Sequence, residues 1–283
     1  MRTRLRRLPS VLAALLVVAG AQVVTQLAVD DAANAVPGRV RVVSPATATD
    51  TTPTKSAFAN CPSGTRVVGG GGWAFDNDAG KVHFTRLEPF HVASLDTYAV
   101  EAASEPGFTG AWWLQAYAIC APAPAGIQIV TSAPTASTSS TFVSQTVDCP
   151  GNKQLLGTGA KILNGGREVG LQRNGGTSLT RVLSTAREDA NGYSGNWTLT
   201  VYGVCANTVP GANLAVTQTN GTVSFATCTT GTVHSVGGGG PFFDAGPVFL
   251  NVLFPSSNAS KAEVAMSGTP SHGITEADAY CIP

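Results

Sequence analysis

Six regularly spaced cysteines constrain this 283-residue chain more than any other feature. Taken in consecutive pairs, they are 59, 56 and 53 residues apart, with shorter gaps between the pairs. Such a spacing indicates internal repetition, in which one structural unit has been copied along the chain. The cysteines are Cys61, Cys120, Cys149, Cys205, Cys228 and Cys281.

The residues around the cysteines support three copies of one repeat. The first two opening cysteines are each followed by proline, and a glycine-rich segment comes shortly after every opening cysteine. Trp112 and Trp197 precede a closing cysteine at the same distance, as do Tyr117 and Tyr202. The third copy lacks the tryptophan, and we interpret it as a diverged terminal repeat.

The repetition also predicts how the cysteines pair. An opening and a closing cysteine in every copy imply one disulfide per repeat, joining Cys61 to Cys120, Cys149 to Cys205, and Cys228 to Cys281. Zinc binding does not fit, because no two cysteines have the two-to-four-residue gap of zinc ligand pairs. In the chain-entropy model each bridge would add roughly 4 kcal/mol of stability.

Short runs of Val, Thr, Ile and aromatic residues, bounded by Gly, Asn, Asp and Ser, predict an all-β protein. We expect three tandem antiparallel β-sandwich-like repeats of about 80 residues each, folding in series. The alternative is a single pseudo-threefold β-prism, in which three sheets share one core. The predicted boundaries are 1–35 for a signal peptide, 36–124 for repeat 1, 125–210 for repeat 2 and 211–283 for repeat 3.

The amino-terminal segment has the charge-then-apolar order of a secretory signal peptide. A basic start ends at Arg6-Arg7 and is followed by an apolar run from Val11. We expect cleavage after Ala35, with Ala21 as the alternative, and the export route, Sec or Tat, stays open. No later stretch is long and apolar enough to span a membrane, so the mature chain is predicted to be secreted.

Composition narrows the function classes. With 17 basic and 17 acidic residues the chain has no net charge, which argues against a nucleic-acid partner. There is no Gly-x-Ser-x-Gly nucleophile motif and no His-Glu-x-x-His metal motif. We therefore expect no cofactor, no metal and no catalysis. The prediction is a secreted, non-enzymatic binding or structural protein with an unknown extracellular partner, protein or polysaccharide.

Aromatic residues are the strongest candidates for ligand contact. Trp73 and Trp113 have no counterpart in the other repeats, and alternation along a strand places Trp113 and Tyr117 opposite the core face. Exposed aromatic rings suit sugars and protein partners, so a lectin-like protein is the first alternative. Glu105 and Glu188, in loops that we matched between repeats, are further contact candidates. Because a pair of carboxylates can catalyse glycoside hydrolysis, these two residues also suggest the second alternative, a secreted hydrolase.

The order of these landmarks resembles a repeat found in secreted proteins of actinobacteria and other bacteria. The resemblance rests on Cys-Pro, Gly-Gly-Gly, Trp-x-Leu and Tyr-Ala-Ile-Cys-Ala, and it covers nearly all of the chain after the signal. It implies an extracellular β module with no established function and no catalytic residues. Arginine-rich usage with only five lysines is typical of an actinomycete. The threefold repetition is also similar to the vitelline membrane outer layer protein, an extracellular β-prism.

Overall fold

A computed structural model describes residues 38–76, 80–92, 95–240, 247–268 and 273–283, and all regular structure within them is β-strand. The predicted signal peptide, 1–35, lies outside these residues. Repeat 1 forms β1 Val40–Val43, β2 Thr54–Asn60, β3 Thr65–Asp76, β4 Val82–Val92, β5 Leu95–Ser104 and β6 Trp112–Pro122. Repeat 2 forms β7 Gln128–Thr131, β8 Phe142–Asp148, β9 Lys153–Leu163, β10 Val169–Ser178, β11 Arg181–Glu188 and β12 Thr198–Asn207. Repeat 3 forms β13 Asn213–Asn220, β14 Val223–Thr227, β15 Thr232–Gly239, β16 Phe249–Pro255, β17 Lys261–Ser267 and β18 Ile274–Ile282.

The 18 strands form three antiparallel six-stranded sheets. Sheet I has the order β1-β6-β3-β16-β17-β14, sheet II has β2-β5-β4-β9-β12-β7, and sheet III has β13-β18-β15-β10-β11-β8. Every sheet therefore takes three strands from one repeat and three from another. The all-β class and the threefold repetition are confirmed. Of the two arrangements left open by the sequence, the strand order gives shared sheets, as in a β-prism.

The three disulfides join the cysteines in the predicted pairs. Their Cα–Cα distances are 5.6, 5.7 and 5.6 Å, within the usual range for an unstrained bridge. Each bridge ties the segment between the second and third strands of a repeat to its last strand. No cysteine is left free in the described part of the chain.

A large hydrophobic core is built from residues of all three repeats, and a smaller apolar cluster that includes Val68, Leu156 and Ile282 lies beside it. Trp112 and Trp197, the landmark tryptophans of the first two repeats, are fully buried in the large core, together with Val264 of the third. Side-chain alternation accounts for this, because Trp112 shares its strand face with Leu114 and Cys120, which are also buried. The face predicted to be the core face of the closing strand is therefore confirmed.

The repeats meet most closely at small residues. A Cβ atom on Gly157 would lie 2.3 Å from the backbone oxygen of Val68, and one on Gly69 would lie 2.6 Å from Cβ of Ser235. These residues belong to β9, β3 and β15, one strand from each repeat. Only residues with little or no side chain fit where three backbones approach each other this closely. The glycine-rich segments are therefore packing positions between repeats.

Every repeat has a β-bulge at the same place, and these bulges identify which residues of the three sheets are equivalent. The pairing of the third strand with the last strand shifts by one residue at Val68, Leu156 and His234. Counting from these bulges, Gly71, Gly159 and Gly237 are equivalent. On the neighbouring last strands, Tyr117, Tyr202 and Asp278 are equivalent.

Two local expectations differ from the structure. The residue pattern predicts two separate strands, Thr65 to Val68 and Trp73 to Phe75, on either side of the glycine run, but β3 runs without interruption from Thr65 to Asp76. In addition, we predicted no strand between residues 44 and 64, whereas the structure has β2 there, and its alternating exposed and buried residues fit a strand with one face on the core. No helix long and apolar enough to cross a membrane occurs in the described residues.

Candidate functional site

The outer face of sheet I carries a row of aromatic side chains that we call the aromatic face. It comprises Trp73 and Phe75 on β3, Trp113 and Tyr117 on β6, and Phe254 on β16. Residues one position away along the same strands, such as Ala74 and Leu114, are buried in the core. Because side chains alternate between the two faces of a strand, the five rings project from the opposite side of the sheet.

The five rings contact one another in an unbroken series. Phe75 and Trp113 are stacked with ring centroids 5.5 Å apart, and Trp113 lies 5.3 Å from Trp73. Trp73 is stacked on Phe254 at 5.5 Å, and Phe254 is stacked on Tyr117 at the same distance. These separations fall in the range in which aromatic pairs attract each other beyond simple area burial.

A glycine lies beneath the centre of this series. Gly71 pairs with Tyr117 across β3 and β6, and the pairing of Gly72 with Leu253 places Phe254 on its other side. A Cβ atom on Gly71 would lie 1.9 Å from the backbone oxygen of Leu253. The absent side chain therefore permits the close approach of β3 and β16. That approach brings rings from the first and third repeats together.

The rings are graded in exposure. Tyr117 is only 3% exposed, and Trp73, Trp113 and Phe254 are half-buried, whereas Phe75 at the end of the series is 39% exposed. Five contiguous rings on one face of a sheet differ from the single hydrophobic residues that are scattered over an ordinary protein surface. The arrangement supplies a firm apolar platform that is already ordered without a ligand.

Charged side chains on β1 and β17 flank the aromatic face on either side across sheet I. The guanidinium of Arg41 lies over the ring of Tyr117, 4.8 Å from its centroid. Burial raises the pKa of Tyr117 to about 12, while Arg41 acts to lower it and Glu263 to raise it. On the other side, Glu263 on β17 pairs with Phe254 on β16 and with Phe225 on β14.

Two of the equivalent positions on sheet II carry charge instead of rings, whereas Tyr202 keeps the ring that Tyr117 supplies on sheet I. Lys161 stands where sheet I has Trp73, and Glu88 stands where sheet I has Phe254. The Glu88 carboxylate accepts from Arg86 at 2.5 Å and lies 3.6 Å from Lys161, while Arg86 also donates to Glu101 at 2.6 Å. These groups satisfy one another, so this face offers little that is unpaired.

Sheet III is different again, because its centre holds a buried ionic cluster. The Arg173 guanidinium lies 2.5 Å from Glu276 and 3.4 Å from Asp278. Burial, more than any other cause, raises the pKa of Asp278 to about 7, while Arg173 acts to lower it and Glu276 to raise it. The three equivalent surfaces therefore differ in chemistry, and within the described residues only sheet I carries a series of contacting aromatic rings at its centre.

The structure brings together three of the five ligand-contact residues expected from the sequence. Trp73, Trp113 and Tyr117 share the aromatic face. Glu188 is buried and accepts from the indole N–H of Trp197 at 3.1 Å and from the backbone N–H of Tyr193 at 3.2 Å, so its carboxylate supports the core. Phe75 and Phe254, which complete the aromatic face, were not among the expected residues, and neither was Phe225 on β14.

Glu105 forms a surface ion pair with Lys81 at 2.9 Å. The strand register matches Glu105 with Asp189 rather than with Glu188, because Ser104 and Glu188 occupy equivalent pairing positions. Burial is the main cause that raises the pKa of Asp189, and Glu105 contributes to it. The two loops that we matched therefore lie close together, and the carboxylate that interacts with Glu105 is that of Asp189 rather than that of Glu188.

The histidines do not form a common site within the described residues. His83 and His234 are buried in different places, and burial lowers their pKa values to about 4 and about 3 respectively. His91 is half-exposed and contacts the Asp96 carboxylate at 2.7 Å. His272 lies outside the described residues. No group of three or more possible metal ligands occurs in the part of the chain that is described.

Comparisons with protein-family models and with curated proteins found no match for this chain. The aromatic face is therefore the feature of the molecule that indicates its function.

Proposed function

We propose that this protein is a secreted, non-enzymatic binding protein, and that it binds polysaccharide through the aromatic face of sheet I. Export is supported by the amino-terminal basic and apolar segments and by three disulfides, which persist in oxidising compartments. The observation that carries the proposal is the continuous contact series Phe75, Trp113, Trp73, Phe254 and Tyr117.

The form of the surface favours an extended ligand. The rings lie on one face of a sheet and come from three adjacent strands, β6, β3 and β16, spaced about 4.8 Å apart. A row of this kind suits a chain that lies across it, whereas small molecules are usually bound in concave pockets. Sugar rings have apolar C–H faces that pack on aromatic side chains, and polar rims that bond to groups at the edge.

Preorganisation strengthens the proposal. Because each ring is held by its neighbours, little conformational entropy is lost when a ligand settles on it. Trp and Tyr also supply large contact area with few rotatable bonds. The same contacts stabilise the sheet, so stability and binding must be measured separately in every variant.

The test is co-sedimentation of the purified mature protein with insoluble polysaccharides such as cellulose, chitin and xylan. Wild type is compared with Trp73→Ala and Phe225→Ala, and with Phe58→Ala as a matched control. Phe58 and Phe225 are each 47% exposed, but Phe58 lies on β2 of sheet II. We expect roughly a tenfold or greater loss of affinity in Trp73→Ala and no loss in Phe58→Ala.

The outcomes separate the candidate functions. Equal retention of Trp73→Ala and wild type by a polysaccharide, with both folded, would contradict the proposed surface. Failure of the wild type to bind any polysaccharide would contradict the sugar ligand. A protein partner that is lost in Trp73→Ala would then replace it, since aromatic residues also dominate protein interfaces.

A further inference from the structure

Glu263 is an acidic side chain set among the rings at one border of the aromatic face. It lies on β17, directly opposite Phe254 on β16 and Phe225 on β14. Phe254 is part of the ring series and Phe225 extends the apolar surface to the edge strand. Glu263 is half-buried, and its cross-strand neighbours on this face are both phenylalanines.

The Glu263 carboxylate makes no hydrogen bond and no ion pair with any other residue of the described chain. Lys261, two positions away on the same strand face, is exposed and forms no ion pair with it. Arg41 lies across the sheet over Tyr117. Burial raises the pKa of Glu263, with no offsetting contribution from a cation. A carboxylate that is partly removed from water without a partner lowers stability, so some other role has to account for it.

The other two sheets show that the fold does not need an acid at this position. Counting from the bulges of β4, β10 and β16, the residues equivalent to Glu263 are Ala99 on sheet II and Leu183 on sheet III. Both are apolar or small and neither carries charge. Of the three equivalent positions, only the one on the sheet with the aromatic rings carries an acid, which associates Glu263 with that surface rather than with the architecture.

We infer that Glu263, Phe225 and Phe254 form a subsite for an ammonium group, and that the ligand is a polysaccharide carrying free primary amines. This inference rests on the proposed function and narrows its ligand class to amino-sugar polymers. A carboxylate accepts charge-assisted hydrogen bonds from an ammonium group. Flanking aromatic rings attract the same cation through their electron-rich faces.

The subsite differs in kind from the rest of the aromatic face. Trp73 and Trp113 contact apolar sugar surface and do not distinguish charged from neutral chains. Glu263 bonds only a group that bears a donor, and gains most from a charged one. Removing the charge should therefore change selectivity, while removing the indole should change binding to every polysaccharide.

The experiment compares chitosan with the same chitosan after chemical acetylation of its amines, at a slightly acidic pH where the free amines are charged. We expect wild type to bind the free-amine polymer roughly ten times more tightly, as for one hydrogen bond to a charged group. Glu263→Gln should lose this preference and keep its affinity for the acetylated polymer. Asp148→Asn, on sheet III, removes the same charge at an exposed position and should retain the preference.

The results discriminate between the inference and the proposed function. A preference for free amines that persists in Glu263→Gln would overturn the subsite, as would equal binding of both polymers by wild type. In either case binding to the acetylated polymer would leave the proposed function standing. Absence of binding to both polymers would contradict the proposed function itself. Glu263→Ala, which mimics Ala99 of sheet II, checks that a loss of preference does not come from the glutamine side chain.

Discussion

The hydroxyl of Tyr98, in the first repeat, donates a hydrogen bond to the backbone oxygen of Thr158, in the second repeat, at 2.9 Å. The Tyr98 ring is fully buried and packs against Gly70, where a Cβ atom would lie 2.3 Å from it. A core side chain of one repeat is thus a structural part of the next. Stability should accordingly belong to the whole molecule rather than to single repeats.

This sharing predicts how the protein responds to loss of one disulfide. Replacing both Cys149 and Cys205 with Ser should destabilise the protein by about 4 kcal/mol in the chain-entropy model. Because every sheet joins two repeats, unfolding should stay a single transition, observed by thermal denaturation. Amide exchange should accelerate in all three repeats. Acceleration confined to residues 125–210 would indicate separate folding units and contradict the shared core.

Because the repeats pack closely, substitution by alanine should change stability differently at two glycines, Gly157 and Gly203. Gly157→Ala places a methyl group against the backbone of Val68 and should cost roughly 1–3 kcal/mol through overpacking. Gly203→Ala is the control, since the atoms nearest its Cβ are side-chain carbons at 3.2 Å and beyond. Urea denaturation should separate the two variants clearly. Equal stability would show that repeats 1 and 2 do not meet at Gly157.

Threefold repetition was evident from the sequence, but the sharing of sheets was not. Cysteine spacing and alternation along β6 are local features, and they are the same whether repeats stand alone or exchange strands. Sheet I forms because β3 pairs with β16 through Trp73 with Val252 and Gly72 with Leu253, a contact between distant parts of the chain. The residue pattern of β3 or of β16 does not identify the strand with which it pairs.

Only part of the candidate site was predictable, because strand pairing between repeats is not visible in local sequence patterns. Trp73 and Trp113 were recognisable because the other repeats lack them, and Tyr117 because its strand alternates. Phe254 and Phe225 join the surface only through strand pairing across repeats, although their own alternation offered a weak signal. Glu188 was misplaced because its hydrogen bond to the Trp197 indole depends on tertiary packing.

Acid should destabilise the protein through its buried histidines. Burial lowers the pKa of His234 to about 3, below its ordinary value of 6.5. The unfolded chain therefore takes up a proton between pH 6.5 and 3 while the folded chain does not, and stability falls as the pH falls through that interval. His234→Leu, matching Leu156 of repeat 2, should reduce this loss. Chemical denaturation at pH 7.5 and pH 4.5 would measure it, and an unchanged difference would contradict the assignment.

Asp278, the buried acid of sheet III, should have the opposite effect and make the protein less stable as the pH rises. Burial raises the pKa of Asp278 to about 7 from its ordinary 3.8, so the folded protein retains a proton that the unfolded chain loses. The contribution of Asp278 is fully present below pH 3.8 and is lost as the pH rises towards 7. The slope is on the order of 1 kcal/mol per pH unit.

Asp278→Asn removes this titration and retains a side chain of similar size. Relative to wild type, the variant should become progressively more stable as the pH is raised from 4 to 8. Denaturation curves across that range would measure the difference. A constant difference between the two proteins at every pH would show that Asp278 is ionised throughout.

Tryptophan fluorescence tests the central claim most directly, because the chain has four tryptophans and two of them, Trp112 and Trp197, are fully buried. Quenching by iodide therefore reports on Trp73 and Trp113. If the aromatic face binds polysaccharide, a bound chain should protect these two indoles from iodide, and the Trp73→Phe/Trp113→Phe variant should show no such protection. Bound polysaccharide that leaves the quenching of wild type unchanged would contradict the account.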